Sequence, residues 1–196
     1  MGGARVTPRP GDFVIAADAG YVQLVCQGVA PDLAVGDFDS LGEPPVGVPI
    51  VRHPVMKDDT DTMLAVKLGL ERGYTDFRLY GVLGGRLDHT LANLQTLQYI
   101  AARGANGVIV GDVCLAVVQN GELRFRAEAS GIISVFCLAS PASGVDLEGL
   151  LYPLTDYTMR ADVPIGVSNE FTGVPARVRV RDGCLLVVFG SIDDLV

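Results

Sequence analysis

Two carboxylates stand one residue apart in the segment "VGDFDS", directly after the apolar run of residues 33–35. Because side chains alternate along an extended backbone, Asp37 and Asp39 can point to the same side, within reach of one cation. Two like charges so placed repel each other unless a metal ion or a basic group lies between them. The alternative is that Gly36-Asp37 is only a turn, with Asp39 or Ser40 capping the segment that follows.

A second acidic motif, "KDDTD", begins at Lys57. Asp58 and Asp61 bracket the predicted start of a helix, where backbone N–H groups and the helix dipole favour anions. Ordinary capping explains part of this motif, since Asp58, Asp59 or Thr60 could each be the N-cap. One cap needs only one such residue, whereas the motif supplies three aspartates beside a lysine.

A third motif, "GVLGGRLDHTLANL", combines glycines with charged residues. Gly84 and Gly85 would let the backbone come close to a ligand such as a phosphate chain. Arg86 offers a planar fork of donors that suits phosphate oxygens. His89 follows Asp88, and a single histidine is more often a structural hydrogen-bonding residue than a catalyst. The alternative is a glycine turn in which Asp88 is the N-cap and Arg86 is solvated.

The three motifs together predict a site for a metal ion and phosphates. Carboxylate oxygens select Mg²⁺ or Mn²⁺, and such ions bridge to phosphate oxygens. A lysine and an arginine beside them would neutralise the charge that develops on a transferred group. The chain has no GxxxxGK[ST] segment and no GxGxxG after its first strand, so it uses neither common nucleotide cradle.

The elements that must position these motifs alternate over the first 110 residues. Apolar runs of strand length occur at residues 13–17, 32–35, 48–51, 77–82 and 107–110. Segments with helical spacing occur at residues 61–72 and 89–103, and each stops before a glycine. This alternation predicts a parallel, Rossmann-like sheet with helices on both faces. Ligands bind beyond the carboxyl ends of the strands in such sheets, which is where the three motifs lie.

The pattern changes after about residue 112. Two strand-like runs flank Asn120-Gly121, which is a strong hairpin signal. Near residue 180, arginine alternates with valine before a predicted turn at Asp182-Gly183. We therefore expect an α/β domain over residues 1–115 and an all-β domain over residues 116–196.

Composition excludes several classes of protein. Of the 196 residues, 49% are hydrophobic and 19% are charged, which indicates a globular chain with a substantial core. The formal charge of −8 leaves no basic footprint for nucleic acid. No apolar run approaches the length of a membrane helix, and no secretory signal is visible, so we expect a cytoplasmic protein without a membrane partner. Four dispersed cysteines and two histidines argue against a zinc site.

The segments "AADAG", "PDLAVGDFDS", "KDDTD", "GVLGGRLDHTLANL" and "GVSNEF" occur in the order and spacing seen in thiamine pyrophosphokinases. The chain resembles that family from residue 13 to residue 190. The resemblance implies an N-terminal α/β catalytic domain, a C-terminal β-sandwich and a homodimer with active sites between subunits. It also implies Mg²⁺-dependent transfer of the β,γ-diphosphate of ATP to the hydroxyethyl oxygen of thiamine, giving thiamine diphosphate and AMP.

The resemblance also assigns roles to single residues. It implies that the catalytic acids, which hold Mg²⁺ or Mn²⁺, are Asp37, Asp39, Asp58 and Asp61. Which of them accepts the hydroxyl proton stays open. It implies that ATP and its phosphates are bound by Lys57, Thr60, Gly84, Gly85, Arg86, Asp88 and His89. The thiamine contacts that it implies are Asp18, Ser168 and Asn169.

The chain departs from the family pattern at Ala19, where glycine is common, and it has no tryptophan. Stacking on the thiamine rings would therefore fall to Tyr152, Tyr157 or Phe171. Two rival functions stay open: a pyrophosphokinase for another heterocyclic alcohol, such as a hydroxymethylpterin, and a non-catalytic sensor of a nucleotide or thiamine. The segment "GVSNEF" favours thiamine over a pterin, and the intact acidic set argues against a sensor.

Overall fold

The computed structural model describes residues 5–38, 45–52, 59–139 and 141–196. The chain forms two compact units. One is made of residues up to 75 together with residues 80–96, and the other of residues 76–79 and 97–196. Among the described residues, no helix combines the length and the apolar character that a membrane span requires.

The first unit is built on a parallel three-stranded sheet in the order β1-β2-β3. Its strands are β1 (Ile15–Ala17), β2 (Leu33–Gly36) and β3 (Ile50–Arg52). Helix α1 (Gly20–Cys26) follows β1, and helix α2 (Asp61–Glu71) packs on β1 and β2. The central strand β2 is buried along its whole length, as the apolar run in its sequence predicts.

A small apolar core holds the first unit together. It contains Ala16, Leu24, Ala34 and Phe38, which come from β1, α1, β2 and the segment directly after β2. Burial of side chains as large as Leu24 and Phe38 stabilises a fold by about 1.5–3 kcal/mol each. The core therefore anchors the carboxyl ends of β1 and β2.

The second unit is rich in β-strands. Its strands include β4 (Asp76–Tyr80), β5 (Asn106–Val110), β6 (Cys114–Gln119), β7 (Glu122–Phe125), β8 (Ile132–Cys137), β9 (Ala142–Glu148), β10 (Leu154–Met159), β11 (Gly166–Glu170), β12 (Ala176–Asp182) and β13 (Cys184–Phe189). Helix α3 (Leu87–Ala101) lies between β4 and β5 in the chain. One sheet has six strands in the order β11-β8-β13-β6-β5-β4, and the other has four in the order β10-β9-β12-β7.

The two sheets of the second unit pack against each other. The ring of Phe125 from β7 meets the ring of Phe189 from β13 edge to face, with 5.2 Å between centroids. On β12, Val178 and Val180 are buried, whereas Arg179 between them is exposed. This is the inward and outward alternation that the sequence predicts for this strand.

The five apolar runs of the first 110 residues do not form one parallel sheet. Among the described strands, β1, β2 and β3 form the parallel sheet, while β4 and β5 belong to the six-stranded sheet. Residues 111–113 connect β5 to β6 so tightly that Val110 pairs with Cys114. So short a connection makes the two strands antiparallel neighbours, and the sheet continues from β5 into β6.

The predicted hairpin at Asn120-Gly121 is also wrong. The strands on either side, β6 and β7, belong to different sheets, so this turn carries the chain from one sheet to the other. Asn120 adopts a positive φ of 48°. Its Oδ1 accepts a hydrogen bond from the backbone N–H of Gly183 at 2.9 Å, and its own N–H donates to the Gly183 carbonyl at 3.1 Å. The left-handed asparagine therefore closes a corner between sheets rather than a two-residue hairpin.

Candidate active site

The carboxyl ends of β1 and β2 bring two predicted site residues together. The strands are in parallel register, and the N–H of Asp18 donates to the carbonyl of Val35 at 2.8 Å. A Cβ atom at position 36 would lie 3.3 Å from the Cα of Asp18 and 3.4 Å from its Cβ. Glycine at position 36 therefore permits the close approach that sets Asp18 beside the strand end carrying Asp37.

The backbone around Asp37 is held in an unusual conformation. Gly36 has a φ of 152° and Phe38 a φ of 61°. A positive φ in a bulky residue is an outlier, costing about 1–2 kcal/mol. The ring of Phe38 is 4% exposed and packs in the core, which offsets this cost and fixes the backbone next to Asp37. Sequence reasoning missed Phe38, although an aromatic residue between two acids was the available signal.

The acids at the start of α2 have separate roles. Thr60 is the N-cap of α2, because its Oγ1 accepts a hydrogen bond from the N–H of Met63 at 3.2 Å. Asp59 pairs with Lys67 two turns along the chain, at 2.6 Å between Oδ2 and Nζ. Asp61 occupies the first turn of a helix that packs on β1 and β2. Of the alternatives for the cap, the structure therefore selects Thr60, and Asp59 serves the structure of the helix.

Asp39, Lys57 and Asp58 lie outside the described residues. Within residues 5–38, 45–52, 59–139 and 141–196, no three His, Cys, Asp or Glu side chains form a group able to hold a metal ion. The part of the predicted acidic set that is described consists of Asp37 and Asp61.

The glycine-rich segment after β4 leaves its backbone accessible. Gly84 and Gly85 have φ values of 85° and 69°. A Cβ atom at either position would meet nothing within 4 Å, so these glycines serve backbone conformation rather than packing. Their amides lie in an exposed stretch, as expected for a segment that receives an anion.

Two residues that sequence reasoning missed lie against this segment, and one of them bonds to it. Asn93 in α3 is buried, and its Nδ2 donates to the carbonyl of Val82 at 2.9 Å. Gln23 in α1 lies so close to Gly81 that a Cβ there would be 3.0 Å from the Gln23 Oε1. The start of the segment is therefore fixed by the hydrogen bond from α3, and the space beside Gly81 is filled by Gln23.

Arg86 and Asp88 form a two-bond ion pair at the start of α3. Arg86 donates from Nε to Oδ1 of Asp88 at 3.1 Å and from Nη2 to Oδ2 at 2.5 Å. Asp88 Oδ1 also accepts from the N–H of His89 at 2.9 Å, and the Arg86 and Asp88 side chains are 74% and 61% exposed. The hydrogen bond from Arg86 lowers the pKa of the Asp88 carboxyl, so the pair stays ionised at neutral pH.

The two predicted thiamine contacts near the C-terminal end of the chain lie in β11, within the second unit. Ser168 is exposed, has a φ of 56°, and its N–H donates to Ser134 Oγ at 3.0 Å. The register of β11 on β8 shifts between Gly166 and Asn169, and Asn169 is only 3% exposed. Irregular strands of this kind are common beside functional sites. The described residues Asp18, Asp37, Asp61 and 84–89 all belong to the first unit.

Comparison with known families decides the classification. The model of the thiamin pyrophosphokinase catalytic domain matches residues 9–109, which is more than half of the chain. The chain belongs to the thiamin pyrophosphokinase family. The model of the vitamin B1 binding domain of thiamin pyrophosphokinase matches residues 122–185.

Other thiamin pyrophosphokinases share the fold. The chain is 27% identical over 182 residues to the thiamine pyrophosphokinase of Bacillus subtilis (strain 168), covering 89% of this chain and 85% of that protein. The crystal structure of a Bacillus subtilis thiamine pyrophosphokinase superposes with a TM-score of 0.85 at 24% identity, covering 94% and 90% of the two chains. That of the Geobacillus thermodenitrificans enzyme gives a TM-score of 0.80 at 25% identity, covering 96% and 91%. The parallel sheet with its helices and the β-rich region are thus those of thiamin pyrophosphokinases.

Proposed function

We propose that this chain transfers the diphosphate group of ATP to the hydroxyl group of thiamine, giving thiamine diphosphate and AMP. The observation that carries the proposal is the fixed approach of Asp18 to the strand end carrying Asp37, made possible by Gly36. It occurs in a chain that both thiamin pyrophosphokinase family models match.

The proposed division of labour follows the two predicted domains. In this proposal ATP is bound within residues 1–115, which contain the parallel sheet, and thiamine within residues 116–196, which contain most of the β-rich unit. The match of the vitamin B1 binding domain to residues 122–185 supports this assignment. We extend it to a cytoplasmic homodimer, as the family resemblance implies.

Mg²⁺, or Mn²⁺ in its place, would be held by Asp37, Asp39, Asp58 and Asp61. The donor set fits, because it consists of carboxylate oxygens and Asp37 stands on a backbone that the Phe38 ring fixes in place. When bound, the ion would neutralise negative charge on the phosphate oxygens.

The protein groups would act on ATP in three places. The exposed amides around Gly84 and Gly85 would receive phosphate oxygens, together with Lys57 and the N-terminal end of α2 at Thr60. The guanidinium of Arg86 would release the Asp88 carboxylate and donate instead to a phosphate, which also offers two acceptor oxygens. Asp88 and His89 would then face the nucleotide.

The reaction joins the hydroxyethyl oxygen of thiamine to the β-phosphorus of ATP. The bond between the β-phosphorus and the oxygen that bridges to the α-phosphorus breaks, and AMP leaves with that oxygen. One of the aspartates accepts the hydroxyl proton. Asp18, Ser168 and Asn169 serve the thiamine side of the site in this proposal.

The test is an incubation of the purified protein with ATP, Mg²⁺ and thiamine, followed by chromatography for AMP and thiamine diphosphate. We expect both products, dependent on thiamine and abolished by EDTA. The Asp39→Asn variant should fold normally, and its turnover rate should be lower by about 10²-fold or more. AMP released with a hydroxymethylpterin but not with thiamine would overturn the substrate, and no AMP with any acceptor would favour a sensor.

A further inference from the structure

The side chain of Asn169 is occupied by its own chain. Its Oδ1 accepts hydrogen bonds from the N–H groups of Tyr152 and Glu170, both at 2.9 Å. Its Nδ2 donates to the carbonyl of Tyr152 at 2.8 Å. Since Asn169 is only 3% exposed, a ligand has little access to this amide. A direct contact with thiamine is therefore a poor description of its role.

Asn169 instead clamps the turn between β9 and β10 onto β11. It binds both backbone polar groups of Tyr152, which a side-chain amide can do because it has a donor and an acceptor. The N–H of Leu151 also donates to the Glu170 carbonyl at 2.9 Å. At the base of the turn, Thr172 Oγ1 donates to the carbonyl of Gly149 at 2.9 Å. The backbone of Tyr152 is therefore fixed next to Ser168-Asn169.

The clamp presents an aromatic ring to solvent. Tyr152 is 63% exposed, compared with 37% for Tyr157. Phe171 packs instead on Phe125, with 5.1 Å between ring centroids. Because Asn169 binds both the N–H and the carbonyl of Tyr152, the exposed tyrosine is attached to a fixed backbone. Among the three aromatic candidates for stacking on thiamine, Tyr152 is the most exposed, and its backbone is held by Asn169.

We propose that Asn169 is a positioning residue, and that it fixes Tyr152 so that the tyrosine ring forms the flat face on which a thiamine ring stacks. This inference rests on the proposed function. It separates the adjacent residues of the "SNE" segment by role: Ser168 presents an exposed hydroxyl, and Asn169 acts through Tyr152.

A purely structural clamp is the competing explanation, and the chain contains one for comparison. Asn120 also uses its Oδ1 to bind a backbone N–H across a turn, that of Gly183, at 2.9 Å. It closes a corner between sheets, and its neighbours in the chain, Gln119 and Gly121, are not aromatic. Asn120→Ala is therefore a matched control for Asn169→Ala.

The experiment measures KM for thiamine, KM for ATP and kcat in wild type, Tyr152→Ala, Asn169→Ala, their double variant and Asn120→Ala. Loss of a stacked heterocycle should raise the thiamine KM of Tyr152→Ala about tenfold, with the ATP KM unchanged. Asn169→Ala should likewise raise the thiamine KM and leave the ATP KM unchanged. The double variant should be no worse than Tyr152→Ala, because residues that act through one another are not additive. Tyr152→Phe, which keeps the ring, should recover most of the lost affinity.

Amide hydrogen exchange adds a readout that is independent of turnover. The Tyr152 amide should exchange faster in Asn169→Ala and at the wild-type rate in Asn120→Ala. Asn120→Ala should lower the melting temperature without changing the thiamine KM.

The outcomes separate this inference from the function on which it rests. A wild type that releases no AMP with thiamine overturns both. A thiamine-active wild type whose Tyr152→Ala variant keeps the wild-type thiamine KM overturns the inference alone. Additive effects in the double variant also overturn it, since Asn169 would then touch thiamine itself. If Asn169→Ala does not fold, the exposed Tyr152→Ala substitution still decides the question.

Discussion

Replacement of Gly36 by alanine tests whether the close approach of β1 and β2 sets the geometry of the acidic site. The new Cβ would lie 3.3 Å from the Cα of Asp18 and 3.4 Å from its N and Cβ. These are backbone or near-backbone atoms, so the strain cannot be relieved by the rotation of a side chain. In addition, alanine would have to adopt a φ of 152°, which L-residues rarely do.

The expected loss of stability is about 1–3 kcal/mol for such a backbone conformation. For a chain of this size, each 1 kcal/mol lowers the melting temperature by about 2–4 °C, which gives a fall of roughly 2–12 °C. The strand ends must also separate by a few tenths of an ångström. Because catalysis depends steeply on position, we expect turnover to fall by about tenfold or more.

Gly28→Ala is the control. Gly28 has a φ of 73°, but a Cβ there would meet nothing within 4 Å, so this change adds backbone strain without a contact. Melting curves and thiamine-dependent AMP release should show a loss of stability in both variants and a loss of turnover only in Gly36→Ala. Equal turnover in the two variants would refute the argument that Gly36 positions Asp18.

Three further predictions concern separate parts of the chain. Arg86→Lys keeps the charge but loses the pair of parallel donors, so kcat/KM for ATP should fall about tenfold or more. The control is Arg160→Lys, at an exposed ion pair of the same spacing, which should leave kcat/KM for ATP unchanged. Asp37→Asn should lower turnover about 10²-fold and raise the Mg²⁺ concentration for half-maximal activity; an unchanged Mg²⁺ titration would contradict its role as a ligand. A thiol reagent followed by mass spectrometry should label exposed Cys26 in the native protein, whereas Cys114, whose thiol pKa is raised by burial, should react only on unfolding.

Local elements were largely predictable from the sequence. Helix α2 (Asp61–Glu71) fits the prediction of residues 61–72, because its apolar spacing and the following glycine are local signals. Helix α3 begins at Leu87, two residues before the predicted start. The sheet to which β5 belongs was not predictable, because its sequence pattern is that of a buried strand whichever strand lies beside it. Pairing of β5 with β6 is decided by the three-residue connection between them.

The candidate site was predictable in its residue types but not in its supports. The acids and glycines stand out because their chemistry is unusual at strand ends. Phe38 acts through packing, and its position between two acids was its only local signal. Asn93 acts through one hydrogen bond to a distant carbonyl, which no local pattern signals. Asn169 was assigned to thiamine by resemblance, and only its three hydrogen bonds, two of them to Tyr152, identify it as a clamp.

The strand order of the six-stranded sheet has a consequence for how the protein is made. β13 lies between β6 and β8, although it follows both in the chain. A ribosome adds about 5–20 residues per second. After β8 has been synthesised, several seconds therefore pass while residues 138–183 are added, and only then can β13 begin to form. During that time β6 and β8 each have an unpaired edge on the side that β13 will occupy. Folding of this sheet must therefore lag behind synthesis, and the nascent chain is most open to mispairing just before β13 emerges.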